Sequence, residues 1–333
     1  MIKKINGEKL KILITGCAGF IGSSLSQMLK NHNYEILGLD NISDSYDPNI
    51  KNWRIKNILD KNDISWIKAD ICDFQKTKKI IHEFKPEAII NLAARAGVRQ
   101  SIDNPKAYYD TNLIGNLNLL EISRDLGINK YILASTSSIY GNSKLPFDED
   151  NYDGFSLSPY ASSKKSAEDM CRVYNHLFNI DIVVLRFFTV YGPAGRPDMS
   201  MFRFVKWIIE NEEIQLNGDG NQSRDFTHVS DISRAIIKSL KINNGFKTIN
   251  LGSDRPVKIN SVISIIEKVL NKKARIKNHP FHPTDIKKTW ANIEKAKELL
   301  DWKPEISIDD GIESVINWYL DNEKIASKIN LYF

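Results

Sequence analysis

The first half of the chain alternates short runs rich in β-branched residues with longer amphipathic stretches, in which apolar residues recur every three or four positions. This alternation is typical of βαβ units built around a parallel sheet. The predicted strands are Leu10–Thr15, Glu35–Asp40, Ile64–Lys68, Ala88–Leu92, Lys130–Ala134 and Asp181–Phe187. The predicted helices are Phe20–Lys30, Phe74–Phe84, Ala107–Leu126 and Tyr160–Asn179. The pattern therefore predicts an α/β fold with a doubly wound parallel sheet.

The pattern loosens after Phe188. A loop rich in glycine and proline, Tyr191–Pro197, precedes a predicted helix, Met201–Asn211, and a mixed region follows. We therefore expect a Rossmann-type domain over residues 9–188, joined again by a segment near residues 226–252. Residues 189–225 and 253–333 are expected to form a smaller, mixed α/β lobe. Sheets of this kind bind ligands beyond the carboxyl ends of their strands, where this lobe should lie.

Composition narrows the class of protein. A chain of 333 residues with 42% hydrophobic and 26% charged residues is long enough for one large soluble domain or two lobes. The net charge of +5 comes from lysines spread along the chain, which argues against a nucleic-acid-binding surface. The three cysteines lack metal-ligand spacing, so reduced thiols and a cytoplasmic location are expected, with no metal. No run approaches the ~18 apolar residues of a membrane span, so no membrane partner is expected.

Three glycines follow the first predicted strand and open the first helix. Gly16, Gly19 and Gly22 have the spacing Gly-x-x-Gly-x-x-Gly, which permits a tight turn and close approach of the backbone to a pyrophosphate. Asp40 ends the second strand, where a carboxylate accepts a hydrogen bond from a ribose 2′-hydroxyl and repels a 2′-phosphate. These residues predict a dinucleotide site that prefers NAD to NADP. The alternatives are an ordinary tight turn and a plain loop aspartate.

Two further strand ends lie at the same edge of the predicted sheet. Asp70 follows the third strand, where its carboxylate can accept from an adenine amino group or simply cap a turn. Residues 91–94 (Asn-Leu-Ala-Ala) end the fourth strand, and their small side chains allow a cofactor to approach the backbone or serve packing alone.

Tyr160 and Lys164 are four residues apart and share one helix face. An ammonium beside a phenol predicts a lowered tyrosine pKa, so that Tyr160 can take a proton from a sugar hydroxyl while a nicotinamide takes the hydride. Thr136, at the end of the fifth strand, can hydrogen-bond the same oxygen and complete a proton-handling triad. The neighbouring Ser137 and Ser138 are open to a substrate role or to turn chemistry.

Three arginines lie in loops next to glycine or proline. Arg99, Arg196 and Arg224 carry guanidinium groups that can hold a carboxylate or a diphosphate. The alternative for each is a structural ion pair.

Several phrases of the sequence resemble the extended short-chain dehydrogenase/reductases over nearly the full chain. They are Thr15–Gly22, Asp40-Asn41, Ala93–Arg99 and Ser158–Lys164. The phrase Arg186–Met199 is similar to the corresponding segment of the UDP-glucuronate 4-epimerases within that family. The phrase Arg224–Val229 resembles the segment on the uridine-diphosphate side of the site in such proteins. Ala194 departs from the subgroup, which often has Trp there, and Thr284 stands where Gly is usual. Both departures bear on substrate preference and not on reaction type.

The resemblance implies roles for individual residues. Tyr160 would be the base, Lys164 would support it and hold the nicotinamide ribose, and Thr136 would order the sugar 4-hydroxyl. The implied NAD contacts are Gly16, Gly19, Phe20, Ile21, Gly22, Asp40, Asn41, Asp70, Ile71, Leu92, Ala93, Ala94, Tyr160 and Lys164. The implied substrate contacts are Arg99, Ser137, Ser138, Thr189, Arg196, Arg224 and Asp285. A homodimer formed through Ala107–Leu126 and Tyr160–Asn179 is also implied.

Ser138 separates the reactions found among such relatives. Nucleotide-sugar decarboxylases have Glu there, and 4,6-dehydratases have Asp-Glu across positions 137 and 138. With two serines no extra acid or base is present, so an oxidised sugar can only be reduced again. The expected activity is NAD-dependent 4-epimerisation of UDP-glucuronate to UDP-galacturonate. A neutral UDP-sugar epimerase (for UDP-GlcNAc or UDP-glucose), a UDP-glucuronate decarboxylase and a non-catalytic NAD-binding regulator are the alternatives.

Overall fold

The structure is a computed structural model that describes residues 9–32, 34–243, 245–281 and 284–331. The strands are β1 (Leu10–Thr15), β2 (Tyr34–Asp40), β3 (Ser65–Lys68), β4 (Ala88–Asn91), β5 (Lys130–Thr136), β6 (Asp181–Phe187), β7 (Thr189–Tyr191), β8 (Glu213–Asn217), β9 (Ser223–His228), β10 (Phe246–Leu251), β11 (Pro256–Lys258) and β12 (Arg275–His279). The α-helices are α1 (Phe20–Lys30), α2 (Pro48–Arg54), α3 (Phe74–Phe84), α4 (Gln100–Asp103), α5 (Pro105–Tyr109), α6 (Gly115–Leu126), α7 (Pro159–Phe178), α8 (Ser200–Ile209), α9 (Val229–Ser239), α10 (Ile259–Leu270), α11 (Glu294–Leu300), α12 (Ile308–Asp321) and α13 (Glu323–Ala326).

A seven-stranded parallel sheet forms the larger part of the molecule, in the order β10-β6-β5-β4-β1-β2-β3. The order turns back between β1 and β4, the kind of position at which doubly wound sheets bind ligands. The predicted fold class and the six predicted strands are confirmed, with end shifts of one or two residues. The seventh strand, β10, escaped prediction because Lys247, Thr248 and Asn250 interrupt its apolar run at the edge of the sheet.

Local signals explain where the helices begin. The Ser158 hydroxyl accepts from the Ala161 N–H at 3.2 Å, and Pro159 occupies the first turn, so α7 starts just before Tyr160. The stretch predicted as one helix over Ala107–Leu126 consists of α5, a π-helical turn at Asp110–Ile114, and α6. A second π-helical turn, Ile55–Leu59, continues α2.

Two small sheets lie apart from the large one, in the orders β11-β9-β7 and β12-β8. Helices α8, α10 and α12 pack with them around a separate apolar core that includes Phe202, Val262 and Ile316. A short strand that was not predicted, β7, precedes the predicted loop and shares Tyr191 with it. Of the returning segment, β9 belongs to the three-stranded sheet, whereas α9 packs against α1 and β10 joins the large sheet. The proposed division into two lobes at the stated bounds stays a prediction.

No helix in the described part of the chain combines the length and apolar character needed to cross a membrane.

Candidate functional site

The three glycines build a turn that has no room for side chains. Gly16 has a φ of +72°, and a Cβ placed on it would lie 2.8 Å from the Ala93 nitrogen. A Cβ on Gly19 would lie 2.8 Å from the Gly16 carbonyl oxygen, and one on Gly22 only 2.1 Å from the same oxygen. None of the described side chains caps the N-terminus of α1, whose first residues, Phe20, Ile21 and Gly22, line a cavity. The N–H groups of residues 16–19 donate to Leu39, Asp40 and Gly16, so the donors that suit a pyrophosphate are those of the first turn of α1.

Asp40 is fixed by the backbone of the same turn. Its carboxylate accepts from the Ala18 N–H at 3.1 Å and from the Ile42 N–H at 2.8 Å, and the Lys51 ammonium lies 4.0 Å away. Asp40 as a whole is only 6% exposed, yet it borders a cavity of about 130 Å³, the edge cavity. The predicted residues that line this cavity are Gly16, Gly19, Asp40, Asn41, Asp70, Ile71, Leu92, Ala93 and Ala94.

Asp70 has the turn role that was one of its two predicted roles, and its contact with an adenine stays a prediction. Its carboxylate accepts from the Cys72 N–H at 2.8 Å, which makes it a turn residue, and from the Asn41 amide at 2.9 Å. Burial would raise the pKa of Asp70, but these hydrogen bonds outweigh it and hold the pKa below its ordinary value. Asp70 therefore stays a charged acceptor at the wall of the edge cavity.

A buried polar network holds the fourth strand end in place. The Thr15 hydroxyl donates to the Asn91 side-chain oxygen at 2.7 Å and accepts from the Ala93 N–H at 3.2 Å. The Asn91 amide donates in turn to Asn116 and Tyr131, both at 3.0 Å. The network therefore holds the backbone at Ala93, and residues 92–94 line the edge cavity. Their contact with a cofactor stays a prediction.

A second cavity of about 300 Å³, the central cavity, adjoins the first along Gly16, Gly19, Leu92 and Ala94. It contains the predicted proton-handling residues next to the start of α1. Its predicted lining residues are Gly16, Gly19, Phe20, Ile21, Gly22, Leu92, Ala94, Thr136, Ser137, Ser138, Tyr160, Lys164, Thr189 and Arg196.

The electrostatics of Tyr160 differ from the sequence-based expectation. Burial raises its pKa above the ordinary value, and the opposing effects come from the Thr136 hydrogen bond and from Arg196. The predicted lowering by Lys164 is wrong for these residues, because the Lys164 ammonium donates to the Ala134 carbonyl at 2.8 Å instead. Burial also lowers the pKa of Lys164 to about 8, against the attraction of Glu168. Desolvation thus disfavours the charged form of both groups.

Thr136 and the two serines after it form a compact hydroxyl cluster. The Thr136 hydroxyl accepts from the Ser138 N–H and donates to the Ser138 hydroxyl, both at 3.1 Å. Ser138 therefore takes part in the turn that follows β5, as one of its two alternatives predicted. Ser137 and Ser138 nevertheless line both the central cavity and its larger neighbour, together with Thr189. Hydroxyl groups are thus concentrated where the two cavities meet.

The larger neighbour, the outer cavity, has a volume of about 790 Å³ and holds several arginines. Arg99 pairs with Asp285 at 2.6 Å and, with the Asn217 amide oriented to satisfy both groups, donates to its oxygen at 2.8 and 3.0 Å. Arg224 donates to the Ser223 carbonyl at 3.0 Å. The predicted residues in this cavity are Arg99, Ser137, Ser138, Thr189, Arg224 and Asp285, so every predicted site residue lines one of the three cavities.

Arg196 approaches the site from the loop after β7. It pairs with Asp198 at 2.5 Å and donates to the Ala96 carbonyl at 2.9 Å. Burial opposes its charge, but Asp198 holds the pKa of Arg196 above its ordinary value. A permanent cation therefore lines the central cavity that contains Tyr160.

Sequence reasoning missed some residues that line these cavities. Arg203 on α8 lines the outer cavity, where burial and repulsion by Arg99 lower its pKa to about 10. Arg203 was not predicted because it lies in an amphipathic helix, where a charged residue is ordinary. Tyr46 and Lys51 line the edge cavity, and the pattern Tyr-x₄-Lys-x₂-Arg that starts at Tyr46 could have drawn attention to them.

Comparisons with known proteins agree with this geometry. A family model described as GDP-mannose 4,6 dehydratase matches residues 13–315. The chain is 48% identical over 320 residues to UDP-glucuronate 4-epimerase from Thermodesulfobacterium geofontis, covering 96% of this chain and 99% of the relative. It is similar to the crystal structure of UDP-glucuronic acid 4-epimerase from Bacillus cereus in complex with UDP-glucuronic acid and NAD (TM-score 0.88, 36% identity, 94% of this chain and 100% of that one). UDP-glucose 4-epimerase from Thermotoga maritima with UDP-glucose is also similar (TM-score 0.87, 28% identity, 94% and 100% covered).

The sheet, the glycine turn and these matches together mean that the chain belongs to the extended short-chain dehydrogenase/reductase family. The resemblance carried by the sequence phrases is thereby confirmed. Relatives named as UDP-glucuronate 4-epimerases match it over nearly its full length, as the phrase Arg186–Met199 predicted.

Proposed function

We propose that this protein is an NAD-dependent epimerase that interconverts UDP-glucuronate and UDP-galacturonate through a 4-keto intermediate. The observation that carries the proposal is the junction of the central and outer cavities. There Tyr160, Thr136 and Lys164 lie between a dinucleotide turn and an arginine-lined cavity, with serines at positions 137 and 138. The relatives named above support the choice of substrate.

The residues of the site fit NAD. At Gly16, Gly19 and Gly22 a Cβ would collide with backbone atoms of the turn or of residues 92–93, so glycine is needed for the turn to close. The start of α1 then lines the central cavity without a side-chain cap, which suits a pyrophosphate. Asp40 presents a carboxylate at the edge cavity that would accept from a ribose hydroxyl and repel a 2′-phosphate. When bound, NAD supplies the acceptor and later the donor of the hydride at C4.

The protein side of the reaction is proton handling. Tyr160 takes the proton of the 4-hydroxyl, and Thr136 holds the same oxygen by a hydrogen bond. The keto sugar then turns about its diphosphate linkage, and Tyr160 returns the proton once the hydride has entered on the other face. No net proton or hydride is released, so cofactor is not consumed.

The hexuronate substrate poses a chemical problem. Oxidation at C4 produces a β-keto acid, which loses CO₂ when the bond to the carboxylate aligns with the carbonyl π system. Ser137, Ser138 and Thr189 offer hydroxyl groups at the cavity junction that can hold the carboxylate out of that alignment. Neither position 137 nor 138 has an acid that could handle a further proton.

The test is a panel of UDP-sugars incubated with purified protein, with products identified by NMR. UDP-glucuronate and UDP-galacturonate should equilibrate, with NAD(H) retained on the protein and little UDP-pentose formed. UDP-pentose as the main product would establish a decarboxylase, and conversion of neutral sugars alone would establish a different epimerase.

The hydroxyl cluster should discriminate between acidic and neutral sugars. Ser138→Ala and Thr189→Ala are each expected to slow epimerisation of UDP-glucuronate roughly tenfold, since a hydrogen bond to a charged group contributes about 1.5–3 kcal/mol. UDP-glucose, whose 6-hydroxymethyl group carries no charge, should be affected less. The measurement is kcat/KM for both sugars, with Ser162→Ala as the control because Ser162 bonds Tyr109 and lines none of the three cavities. An equal decrease of kcat/KM for both sugars would show that these hydroxyls do not bind the carboxylate.

We further propose a homodimer formed through α5, α6 and α7. Exposed apolar side chains on this part of the molecule support it, namely Ile114, Val173, Leu177 and Phe178. Sedimentation should give twice the mass of the chain, and a monomer at micromolar concentration would contradict the proposal. The cytoplasmic location stays a prediction.

A further inference from the structure

Arg54 at the end of α2 is a fully buried cation with an unusual set of partners. In the described part of the chain its hydrogen-bond acceptors are three backbone carbonyls and one phenol, and none of them is a carboxylate. Burying a charge without an opposite charge is costly and needs hydrogen bonds to compensate. All five N–H groups of a guanidinium are matched by the five hydrogen bonds here.

The acceptors belong to two different loops. On one side the guanidinium donates to the Ala18 carbonyl at 3.2 Å, inside the dinucleotide turn. On the other it donates to the Ala194 carbonyl at 2.8 and 3.0 Å and to the Gly195 carbonyl at 3.0 Å. The Tyr46 hydroxyl, at 2.8 Å, accepts the remaining bond. A single side chain thus joins the cofactor side of the site to the loop that leads to the sugar side.

The turn that Arg54 holds is not one that its own residues favour. Ala194 has a φ of +52°, in the left-handed region that disfavours residues with a Cβ, so contacts with its surroundings must maintain it. Arg196 follows immediately. Its guanidinium lies 5.4 Å from the centre of the Tyr46 ring, the same ring that Arg54 approaches at 5.5 Å.

We propose that Arg54 is a positioning residue: by tying the Ala194–Gly195 turn to the dinucleotide turn, it fixes Arg196 beside the reacting centre. This inference rests on the proposed epimerase function. It assigns to Arg54 no contact with substrate or cofactor, and it makes the geometry of the sugar side depend on that of the cofactor side.

The consequence for catalysis passes through Tyr160. The groups facing this phenol are Thr136 on β5, Tyr108 on α5 and Arg196 from the loop. Lys164, on the helix of Tyr160, lines the same cavity, but its ammonium donates to the Ala134 carbonyl. Arg196 favours the phenolate and lowers the pKa of Tyr160, opposing the effect of burial. When the turn is released and Arg196 moves away, the pKa of Tyr160 should rise. In a plot of kcat against pH, the rising limb depends on the phenolate form of Tyr160. This rising limb should then move to higher pH.

The experiment compares kcat for UDP-glucuronate against pH in Arg54→Met, Arg54→Lys and Arg196→Met. Arg54→Met should lower kcat at neutral pH about tenfold and move the rising limb upward by about one pH unit, in the direction given by Arg196→Met. Arg54→Lys keeps the charge but lacks the planar fork that reaches both loops, so it should show a smaller shift of the same sign. NAD content should stay near that of the wild type, since the turn keeps the bonds from the Gly16 N–H to the Leu39 carbonyl and from the Ala18 N–H to the Asp40 carboxylate.

Leu59→Ala is the matched control, because Leu59 is fully buried in the helical turn that continues α2 and lines none of the three cavities. It should lower the melting temperature without moving the pH limb. A shift of equal size in Leu59→Ala, or an unmoved limb in both Arg54 variants, would overturn the inference. If Arg54→Met does not fold, the Arg54→Lys profile decides.

A crystal structure of the Arg54 variant that folds gives a readout independent of turnover. The bond between Arg196 and the Ala96 carbonyl should be lost, and an unmoved turn with that bond intact would contradict the inference. A wild-type protein that does not convert UDP-glucuronate would refute the proposed function and leave this structural test in force.

Discussion

Tyr160→Phe should lower turnover of UDP-glucuronate by about 10²- to 10⁴-fold, the range that general-base catalysis contributes. The substitution removes only the hydroxyl group, and the ring keeps its edge-to-face packing against Tyr108, whose centre lies 6.1 Å away. Folding and NAD content should therefore remain as in the wild type. The measurements are kcat by NMR, the melting temperature, and NAD(H) released on denaturation.

Tyr109→Phe is the matched control for this change. Its phenol lies on the neighbouring helix α5 and donates to the Ser162 hydroxyl at 2.8 Å, outside the three cavities. Turnover should stay within about threefold of the wild type, because a neutral hydrogen bond contributes only about 0.5–1.5 kcal/mol and this one lies away from the reacting atoms. A Tyr160→Phe protein that is as active as Tyr109→Phe would remove Tyr160 from the mechanism.

The pH dependence of the wild type follows from the same phenol. Burial raises the pKa of Tyr160, so the phenolate is the minor form at neutral pH and its fraction grows as pH rises. The rate should accordingly increase with pH from neutrality. The sequence alone suggested the opposite balance, because it placed an ammonium beside the phenol and could not show that Lys164 is turned towards the Ala134 carbonyl.

Much of the fold could be predicted because its signals are local. The bounds of β1, α1, α3 and β6 agree with the prediction, since each is a continuous apolar or amphipathic run bordered by turn residues or a capping residue. The strand β10 could not be read in this way. It lies at the sheet edge, carries polar residues, and reaches its partner β6 only after the chain has passed through the smaller sheets.

The residues of the candidate site likewise differ in whether local sequence signals mark them. Short motifs can be recognised in a single sequence, and such motifs contain Gly16, Gly19, Gly22 and Tyr160. Of the acceptors that Arg54 contacts in the described chain, Tyr46 lies eight residues away, but Ala18 and Ala194 lie 36 and 140 residues away, so its bridging role is not marked locally. The pairing of Arg99 with Asp285, 186 residues apart, is of the same kind. What the sequence hides is therefore the electrostatic environment of the site, which long-range contacts create.

Gly22→Ala should abolish retention of NAD, although it adds a single methyl group to a helix. The new Cβ would lie 2.1 Å from the Gly16 carbonyl oxygen, 2.9 Å from the Gly16 carbonyl carbon and 3.0 Å from the Cys17 Cα. All three atoms are backbone, so no side chain can turn aside, and either α1 or the dinucleotide turn must move. Overpacking of this kind costs about 1–3 kcal/mol, and at the upper end the affinity for NAD falls about 10²-fold.

The readouts for Gly22→Ala are the NAD(H) content of purified protein and turnover with and without added NAD. Turnover without added NAD should fall by about 10²-fold and recover in part at high NAD concentration, because the catalytic residues on β5 and α7 are untouched. Gly127→Ala is the control: its φ of +69° costs an alanine about 1–2 kcal/mol of stability, but a Cβ there meets nothing within 4 Å. That variant should melt earlier and keep its cofactor. Should Gly22→Ala retain NAD as fully as Gly127→Ala does, the turn between β1 and α1 would not be where the pyrophosphate binds.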